Sequence, residues 1–423
     1  MSYPEVIRAL EARVIMPDGP PSLVPMQQGL DRILKGMVLD PRDIIVVAGT
    51  NGKGSVSATL EALLLDAGET VGLYTSPHLE ETTERVRING SDVSPEVFSE
   101  TYQNVDLLTH DMGLSHFEML TLMAVWIFRV RKDLPRIRWL IFEVGLGGTW
   151  DATNAIPHHY NVITSLGFDH QNLLGNTLTE IAANKFGIIR DDSIVIHSEF
   201  PDEVKPLARE VQAKTQSKWV PSVPFAWSAS VADQVPTFNL QTQWGTAPLS
   251  LPGRRGAQNA ATALTLFHEL GYDPARYLSA LTHVRWSGRM ERVQKSKNTP
   301  PIYLSGDHNP QGVQSLLEIL EFYPRHHLHI LAGVGKDKDL EGILAPLSRI
   351  QDASLYLTET PFRGRPVDSY GEWLKQARGA WADPKVALQN IIEIAQPSDM
   401  ILITGSLYLV GALKRELRAL DLY

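Results

Sequence analysis

The chain has 423 residues, 43% hydrophobic and 21% charged. That is too long for one ordinary core, so a soluble globular protein of two domains is expected. A formal net charge of -9 with no long basic run argues against nucleic acid as a partner, and the absence of cysteine excludes disulfides, thiolate metal sites and cysteine nucleophiles. The first ten residues carry Glu5 and Arg8 and lack the apolar run of a signal peptide. The densest apolar run, 119–128, is too short to span a bilayer and reads as a buried helix. The expected compartment is the cytoplasm, with no membrane partner.

Residues 1–40 read as polar helix, and Ile44-Ile45-Val46-Val47-Ala48 as a buried strand. Gly49-Thr50-Asn51-Gly52-Lys53-Gly54-Ser55 follows, ahead of a helical stretch at 56–68. Strand, glycine turn and helix start are the parts of a phosphate cradle: backbone N–H groups and a helix N-terminus face an anion. Lys53 can reach terminal phosphate oxygens and Ser55 can ligate their metal. The spacing departs from the common P-loop, because Val47 stands where that pattern has its first glycine and Gly54 separates Lys53 from Ser55.

Val71 to Tyr74 is a second short strand, ending in Thr75-Ser76-Pro77-His78-Leu79; Pro77 keeps Ser76 and His78 on a loop. The segment 83–90 alternates before an Asn-Gly turn. A helix is expected from Glu118 to about Lys132. Strand 139–142 delivers Glu143 and Gly145-Leu146-Gly147-Gly148, strand 161–166 delivers Asp169 and His170, and helix 178–189 carries Lys185. Alternating strands and helices predict an open, mostly parallel sheet, whose ligands bind beyond the carboxyl ends of the strands. The glycine turn, Ser76, Glu143 and His170 all fall at that edge.

Residues 216–256 read as edge strands and loops, and 257–270 as a helix ended by Gly271. The polar stretch after Arg292, ending in Pro300-Pro301, marks the expected boundary between domains 1–292 and 293–423. Strands near 301–304, 328–332, 353–358 and 400–404, with a last helix from about Leu407, make a second α/β domain. Metal logic pairs Glu143 with Ser55 or Ser76, with His170 for a second ion. Against this stand ordinary roles: a helix-capping or ion-paired Glu143, a surface or loop histidine at 170, a solvated Lys185, turn-shaping by Asp151 and Asn154, and surface arginines at 85, 87, 289 and 292. The residues alone reach an ATP-using α/β enzyme with metal at one sheet edge. They leave open hydrolysis, alcohol phosphorylation and ligation through an acyl phosphate.

Taken in order, the motifs resemble the folylpolyglutamate synthase and dihydrofolate synthase group of the Mur ligase superfamily. The resemblance covers nearly the whole chain. It runs from the glycine turn through Tyr74-Thr75-Ser76-Pro77-His78-Leu79, Glu84-Arg85-Val86-Arg87-Ile88-Asn89-Gly90, Phe117-Glu118 and Phe142-Glu143-Val144-Gly145-Leu146-Gly147-Gly148 with Asp151-Ala152-Thr153-Asn154. It continues through Asp169-His170, Lys185-Phe186-Gly187-Ile188, Gly288-Arg289, His308-Asn309-Pro310, Asp337-Lys338-Asp339 and Thr404-Gly405-Ser406-Leu407-Tyr408-Leu409-Val410-Gly411.

The resemblance implies an N-terminal P-loop-type domain with a mostly parallel sheet and a smaller, Rossmann-like C-terminal glutamate ligase domain. The implied reaction is ATP-dependent ligation of L-glutamate to dihydropteroate or folates through an acyl phosphate, in a monomer. Gly49, Thr50, Asn51, Gly52, Lys53, Gly54, Ser55, Asn259, Arg289 and Asp307 are implied at ATP, with the second domain closing over it. Ser76, Pro77, His78, Arg85, Phe117, Asp151 and Ala152 are implied at the acceptor, and His308 near ATP and glutamate. Ser55, Ser76, Glu143 and His170 are implied as ligands for magnesium, two ions being expected, with a monovalent cation and a carbamylated Lys185 as further expectations. Lys53, Glu143, His170, Lys185 and His308 form the expected catalytic set. Three positions depart from the family pattern: Thr149-Trp150 replaces Arg-Leu, Asn184 replaces the glutamate before the modified lysine, and Ser305 replaces an aspartate expected at the ribose, two residues from Asp307. Other readings are a different Mur-type amide ligase, or a nucleotide-binding ATPase without ligase chemistry.

Overall fold

Ile44–Ala48, here β1, is buried at every position, the pattern of a parallel strand covered on both faces. The computed structural model describes residues 1–15, 21–134, 136–232, 235–296 and 298–422. Seven further strands join β1 in one sheet: β2 (Val71–Tyr74), β3 (Val86–Ile88), β4 (Ser91–Asp92), β5 (Trp139–Glu143), β6 (Tyr160–Ile163), β7 (Ile194–His197) and β8 (Lys218–Pro221). Their order is β4-β3-β2-β5-β1-β6-β7-β8. β1 runs parallel to both neighbours, pairing Val47 with Glu143 on one side and Ala48 with Ile163 on the other. Among the described strands of this sheet only β3 runs against its neighbours, pairing antiparallel with β2 and, in a hairpin at one edge, with β4. The turn of that hairpin is the expected Asn89-Gly90, both residues at positive φ (48° and 81°), the backbone a two-residue hairpin turn requires.

Helices Tyr3–Glu11, Val24–Leu34, Pro95–Thr109 and His116–Val125 bring Leu10, Met26, Phe98 and Met119 into one apolar cluster with Val46 and Phe142 of the sheet. The helix expected from Glu118 starts earlier because Ser115 caps it: Ser115 Oγ accepts from the Glu118 N–H, and Glu118 Oε2 accepts from the Ser115 N–H at 2.8 Å. It ends at Val125 in a single π-helical turn, Trp126–Val130, short of Lys132. No described helix is long and apolar enough to cross a membrane.

Residues 216–256 supply β8 and a three-stranded sheet of β9 (Ala226–Ala232), β10 (Val235–Thr242) and β11 (Gly245–Leu249), ordered β11-β10-β9. The helix expected at 257–270 spans Gly253–Glu269.

The second large sheet contains β12 (Arg289–Val293), β13 (Ile302–Ser305), β14 (Leu328–Ala332), β15 (Ala353–Thr358), β16 (Gly379–Trp381) and β17 (Met400–Thr404), ordered β12-β13-β17-β14-β15-β16. All pairs are parallel except β12 with β13. The four expected strands are present, and β12 and β16 are additional.

The chain divides into two compact units. One is Met1–Phe225 with Gln241–Ala247 and Gln258–Val284; the other is Ala226–Leu240 with Pro248–Ala257 and Arg285–Tyr423. A cut at 292/293 would run through β12, whose Arg292 and Val293 face Tyr303 and Ile302 of β13. The unit boundary therefore falls before that strand, at Val284/Arg285.

Candidate active site

In the first unit, the carboxyl ends of β1, β2, β5 and β6 each open into a loop carrying expected site residues. The turn after β1 is clamped by the loop after β6. Thr50 N–H donates to Ser165 O (2.8 Å), Thr50 Oγ1 donates to Gly167 O (3.0 Å), and Thr164 Oγ1 and Ser165 Oγ donate to Asn51 O (2.7 and 3.1 Å). Gly49 and Gly52 stand at φ 148° and 91°, where L side chains are strained. A Cβ would overlap Thr164 Oγ1 at Gly49 and Asn259 Oδ1 at Gly52. Gly52 is the N-cap of the helix Lys53–Asp66, so the helix starts three residues before the expected 56. Lys53, Gly54 and Ser55 form its first turn, whose N–H groups have no partner inside the helix.

Two ammonium groups meet at one carbonyl. Lys53 Nζ donates to Gly49 O (3.2 Å) and Thr50 O (3.4 Å), and Lys185 Nζ donates to Gly49 O (3.0 Å). Lys185 is buried on the helix Leu178–Phe186. Burial, with the neighbouring Lys53 charge second, pushes its ammonium down to about 7. Gly148 and Thr149 seat the loop after β5 on the end of that helix. Thr149 N–H and Oγ1 both donate to Asn184 O (2.8 and 3.0 Å), and a Cβ at Gly148 would crowd the Asn184 and Lys185 backbone. Asn184 itself donates to Leu174 O at 3.2 Å.

Glu143, buried at the end of β5, accepts the Ser76 N–H at 3.1 Å. This brings the loop after β2 to the carboxylate; the Ser76–Pro77 peptide is cis. Arg85 Nε donates to His78 Nδ1 at 2.9 Å. Phe117 lies against Tyr74, ring centroids 5.9 Å apart, and over Gly145, where a Cβ would be 2.7 Å from its ring. Asp151, beside the buried Ala152, is spent on its own loop. One oxygen accepts the Gly145 and Leu146 N–H groups at 3.0 Å each, and the other accepts Thr153 N–H (3.0 Å) and Oγ1 (2.6 Å). Burial raises its carboxyl above the usual range. His170, at φ 50°, donates its N–H to Asp169 Oδ1 at 2.9 Å, with Nε2 3.9 Å from the same oxygen.

In the second unit, Arg289 begins β12, and its guanidinium donates to Gly288 O at 3.1 Å. Asp307 is fully buried. Its two oxygens accept from Arg255, in a short ion pair, and from Ser305 Oγ at 2.7 Å. Burial opposes its charge, but Arg255 and Arg289 leave its carboxyl below the usual range. His308 Nδ1 lies 2.9 Å from Gly306 O, and Asn309 Oδ1 caps the helix Pro310–Leu320 by accepting the Gly312 N–H at 2.8 Å.

Among the described residues, no three His, Cys, Asp or Glu side chains converge as a metal cage. A magnesium ion carried by nucleotide phosphates takes only one or two carboxylates, and the Glu143 carboxylate with the hydroxyls of Ser55 and Ser76 is a donor set of that hard-oxygen kind. The clamp by Thr164 and Ser165 and the support of Arg289 described below escaped sequence reasoning, because both depend on bonds between distant segments. The one available signal was the Thr-Ser pair directly after a buried strand.

A glycine turn that opens a helix at the carboxyl edge of a parallel sheet, with a second α/β unit in the same chain, is the architecture of a nucleotide-dependent enzyme. Residues 288–407 match the family model described as Mur ligase, glutamate ligase domain. A dihydrofolate synthase/folylpolyglutamate synthase of Bacillus subtilis (strain 168) is 31% identical over 392 residues, covering 88% of this chain and 90% of that protein. The structure of E. coli FolC in complex with DHPP and ADP superposes with a TM-score of 0.83 at 28% identity, covering 100% of this chain and 99% of that one. A bifunctional folylpolyglutamate synthase/dihydrofolate synthase with Mn, AMPPNP and L-glutamate bound gives 0.82 at 29%, covering 100% and 98%. The chain belongs to the dihydrofolate synthase/folylpolyglutamate synthase family of ATP-dependent ligases.

Proposed function

We propose that this chain joins L-glutamate to the carboxylate of dihydropteroate or a reduced folate at the expense of ATP, with the site residues in the roles given below. The observation that carries this reading is the sheet edge where Lys53 and Lys185 meet on Gly49 O, with the Glu143–Ser76 pair at the end of the neighbouring strand. In the first step an acceptor carboxylate oxygen attacks the γ-phosphorus of ATP. The bond to the bridging oxygen breaks, leaving ADP and an acyl phosphate. In the second step the glutamate amine attacks the acyl carbon, phosphate departs with the C–O electron pair, and the nitrogen loses a proton.

Both steps bring anions together, so their cost lies in charge. Residues 49–55 cradle the phosphates, and Lys53 exchanges its carbonyl bonds for phosphate oxygens. Asn259 and Arg289 serve the rest of ATP. Glu143, Ser55 and Ser76 would hold magnesium, with His170 toward a second ion; such ions neutralise phosphate charge when bound. Ser76, Pro77, His78, Arg85, Phe117 and Ala152 face the acceptor, and Asp151 contributes by shaping their loop. Asp307 acts through Arg255 and Ser305 instead of by direct contact with the nucleotide, and His308 serves the glutamate step. Lys185, pushed down to about 7, presents a neutral amine fraction that can add carbon dioxide with loss of a proton. The resulting carbamate anion would suit a neighbour of metal and a monovalent cation better than of phosphate.

The test is ADP release by purified enzyme, with dihydropteroate and tetrahydrofolate as alternative acceptors. Release is expected to need both an acceptor and glutamate, and to be lost in Lys53→Ala and Glu143→Ala variants that keep the parent circular dichroism. Equal turnover with neither co-substrate would sink the ligase reading; near-normal activity in either variant would sink the site.

A further inference from the structure

Lys414 is the one charged residue among those that the last helix, Leu407–Ala419, buries; its companions there include Leu409, Val410, Leu413 and Leu417. An apolar residue would satisfy that packing, and a buried ion pair is poor evidence of stability. The bonds of Lys414 indicate another purpose. Its Nζ lies 2.9 Å from Ser287 Oγ and 2.8 Å from Glu291 Oε1. Glu291 Oε2 in turn accepts the Gly288 N–H at 2.9 Å. One ammonium therefore holds both ends of the short segment Ser287–Glu291, which contains Arg289.

That segment cannot hold its shape by strand pairing alone. The register between β12 and β13 slips between Arg289 and Glu291, leaving Met290 as the extra residue of a bulge. Gly288 and Met290 stand at φ 70° and 52° on either side of Arg289, and left-handed backbone at methionine is uncommon. Gly288 O accepts the Gly306 N–H at 2.8 Å, and a Cβ at Gly306 would be 3.0 Å from the Arg289 guanidinium and would overlap Leu407. Arg289 thus lies across a glycine from the same helix that brings Lys414.

We propose that Lys414 is a positioning residue for ATP: it fixes the bulge that aims the Arg289 guanidinium. This rests on the reading of Arg289 as an ATP contact. The test compares steady-state kinetics of Arg289→Ala, Lys414→Met, Lys414→Arg, Ser287→Ala and the Arg289→Ala/Lys414→Met double variant. Lys414→Met is expected to raise the KM for ATP about tenfold, the size of one charged hydrogen bond, with kcat within about twofold of parent. Lys414→Arg should recover most of the loss, and the double variant should be no worse than Arg289→Ala, since both act through one guanidinium. Should Lys414→Met fail to fold, Ser287→Ala, which removes one surface hydroxyl, carries the same expectation at smaller size. A lowered Tm with an unchanged KM for ATP, or additive losses in the double variant, would overturn the positioning role. An unchanged KM in Arg289→Ala would overturn the reading of Arg289 and the proposal with it, whereas a raised KM there beside a silent Lys414→Met defeats the proposal alone.

Discussion

At the scale of single residues, Lys185 makes the sharpest demand. Its folded ammonium is pushed down to about 7 by burial and Lys53, while an unfolded lysine titrates near 10.4. Below about 7 both states hold the proton and the burial penalty is at its full size. Across the window above it, the unfolded chain holds a proton that the folded chain has released, so stability rises with pH. Lys185→Met has nothing to titrate there. In buffers free of carbon dioxide, the parent should gain stability relative to this variant from pH 7 to pH 9, by up to about 1.4 kcal/mol per pH unit. Thermal melts at both pH values check this, and a constant difference would show that Lys185 keeps an ordinary pKa. The position of Lys185 on a helix was legible in the sequence. Its burial and its bond to Gly49 were not, because they depend on segments far apart in the chain coming together.

At the scale of elements, what was legible had a local cause. Five buried apolar residues made β1, and Asn89-Gly90 made the hairpin turn. β12 was hidden because Arg289, Glu291 and Arg292 leave no apolar alternation to read, although an edge strand beside a single partner tolerates such residues. β16 has only three residues, too few for periodicity. The first turn of the helix Gly253–Glu269 was missed because Gly253 and Gly256 are poor helix formers, and tertiary context overrides propensity. The link from the helix Lys53–Asp66 to the hairpin also escaped sequence reading: Glu61, buried, pairs with Arg87 at 2.9 Å and accepts the Gly90 N–H at 3.1 Å. Burial raises the Glu61 carboxyl, with Arg87 opposing. Glu61→Ala should cost about 2 kcal/mol in urea unfolding, below the usual cost of breaking a buried pair because Asp92 remains 4.0 Å from Arg87. An effect within about 0.5 kcal/mol would mean that the hairpin is held by β2 alone.

At the scale of the whole molecule, sequence reading divided the chain once, whereas the chain passes between the two units at 225/226, 240/241, 247/248, 257/258 and 284/285. The second unit therefore draws on three segments. Phe238 and Trp227 enter its core beside Phe322, with ring centroids 6.0 and 5.9 Å from it. A fragment of residues 293–423 lacks those rings and most of β12, leaving β13 as an open edge. It should show no cooperative thermal transition by circular dichroism, whereas the full chain should; a cooperative melt of the fragment would make residues 293–423 an autonomous domain.

The pair of ammonium groups on Gly49 O has a consequence for ligand binding. An arriving polyanion raises the proton affinity of any nearby amine, and burial with the Lys53 charge has pushed unmodified Lys185 down to about 7. Under the roles proposed above, a nucleotide arriving at the Gly49 turn without its metal would draw a proton onto Lys185, so that occupancy of the turn and the protonation of this buried amine are linked quantities.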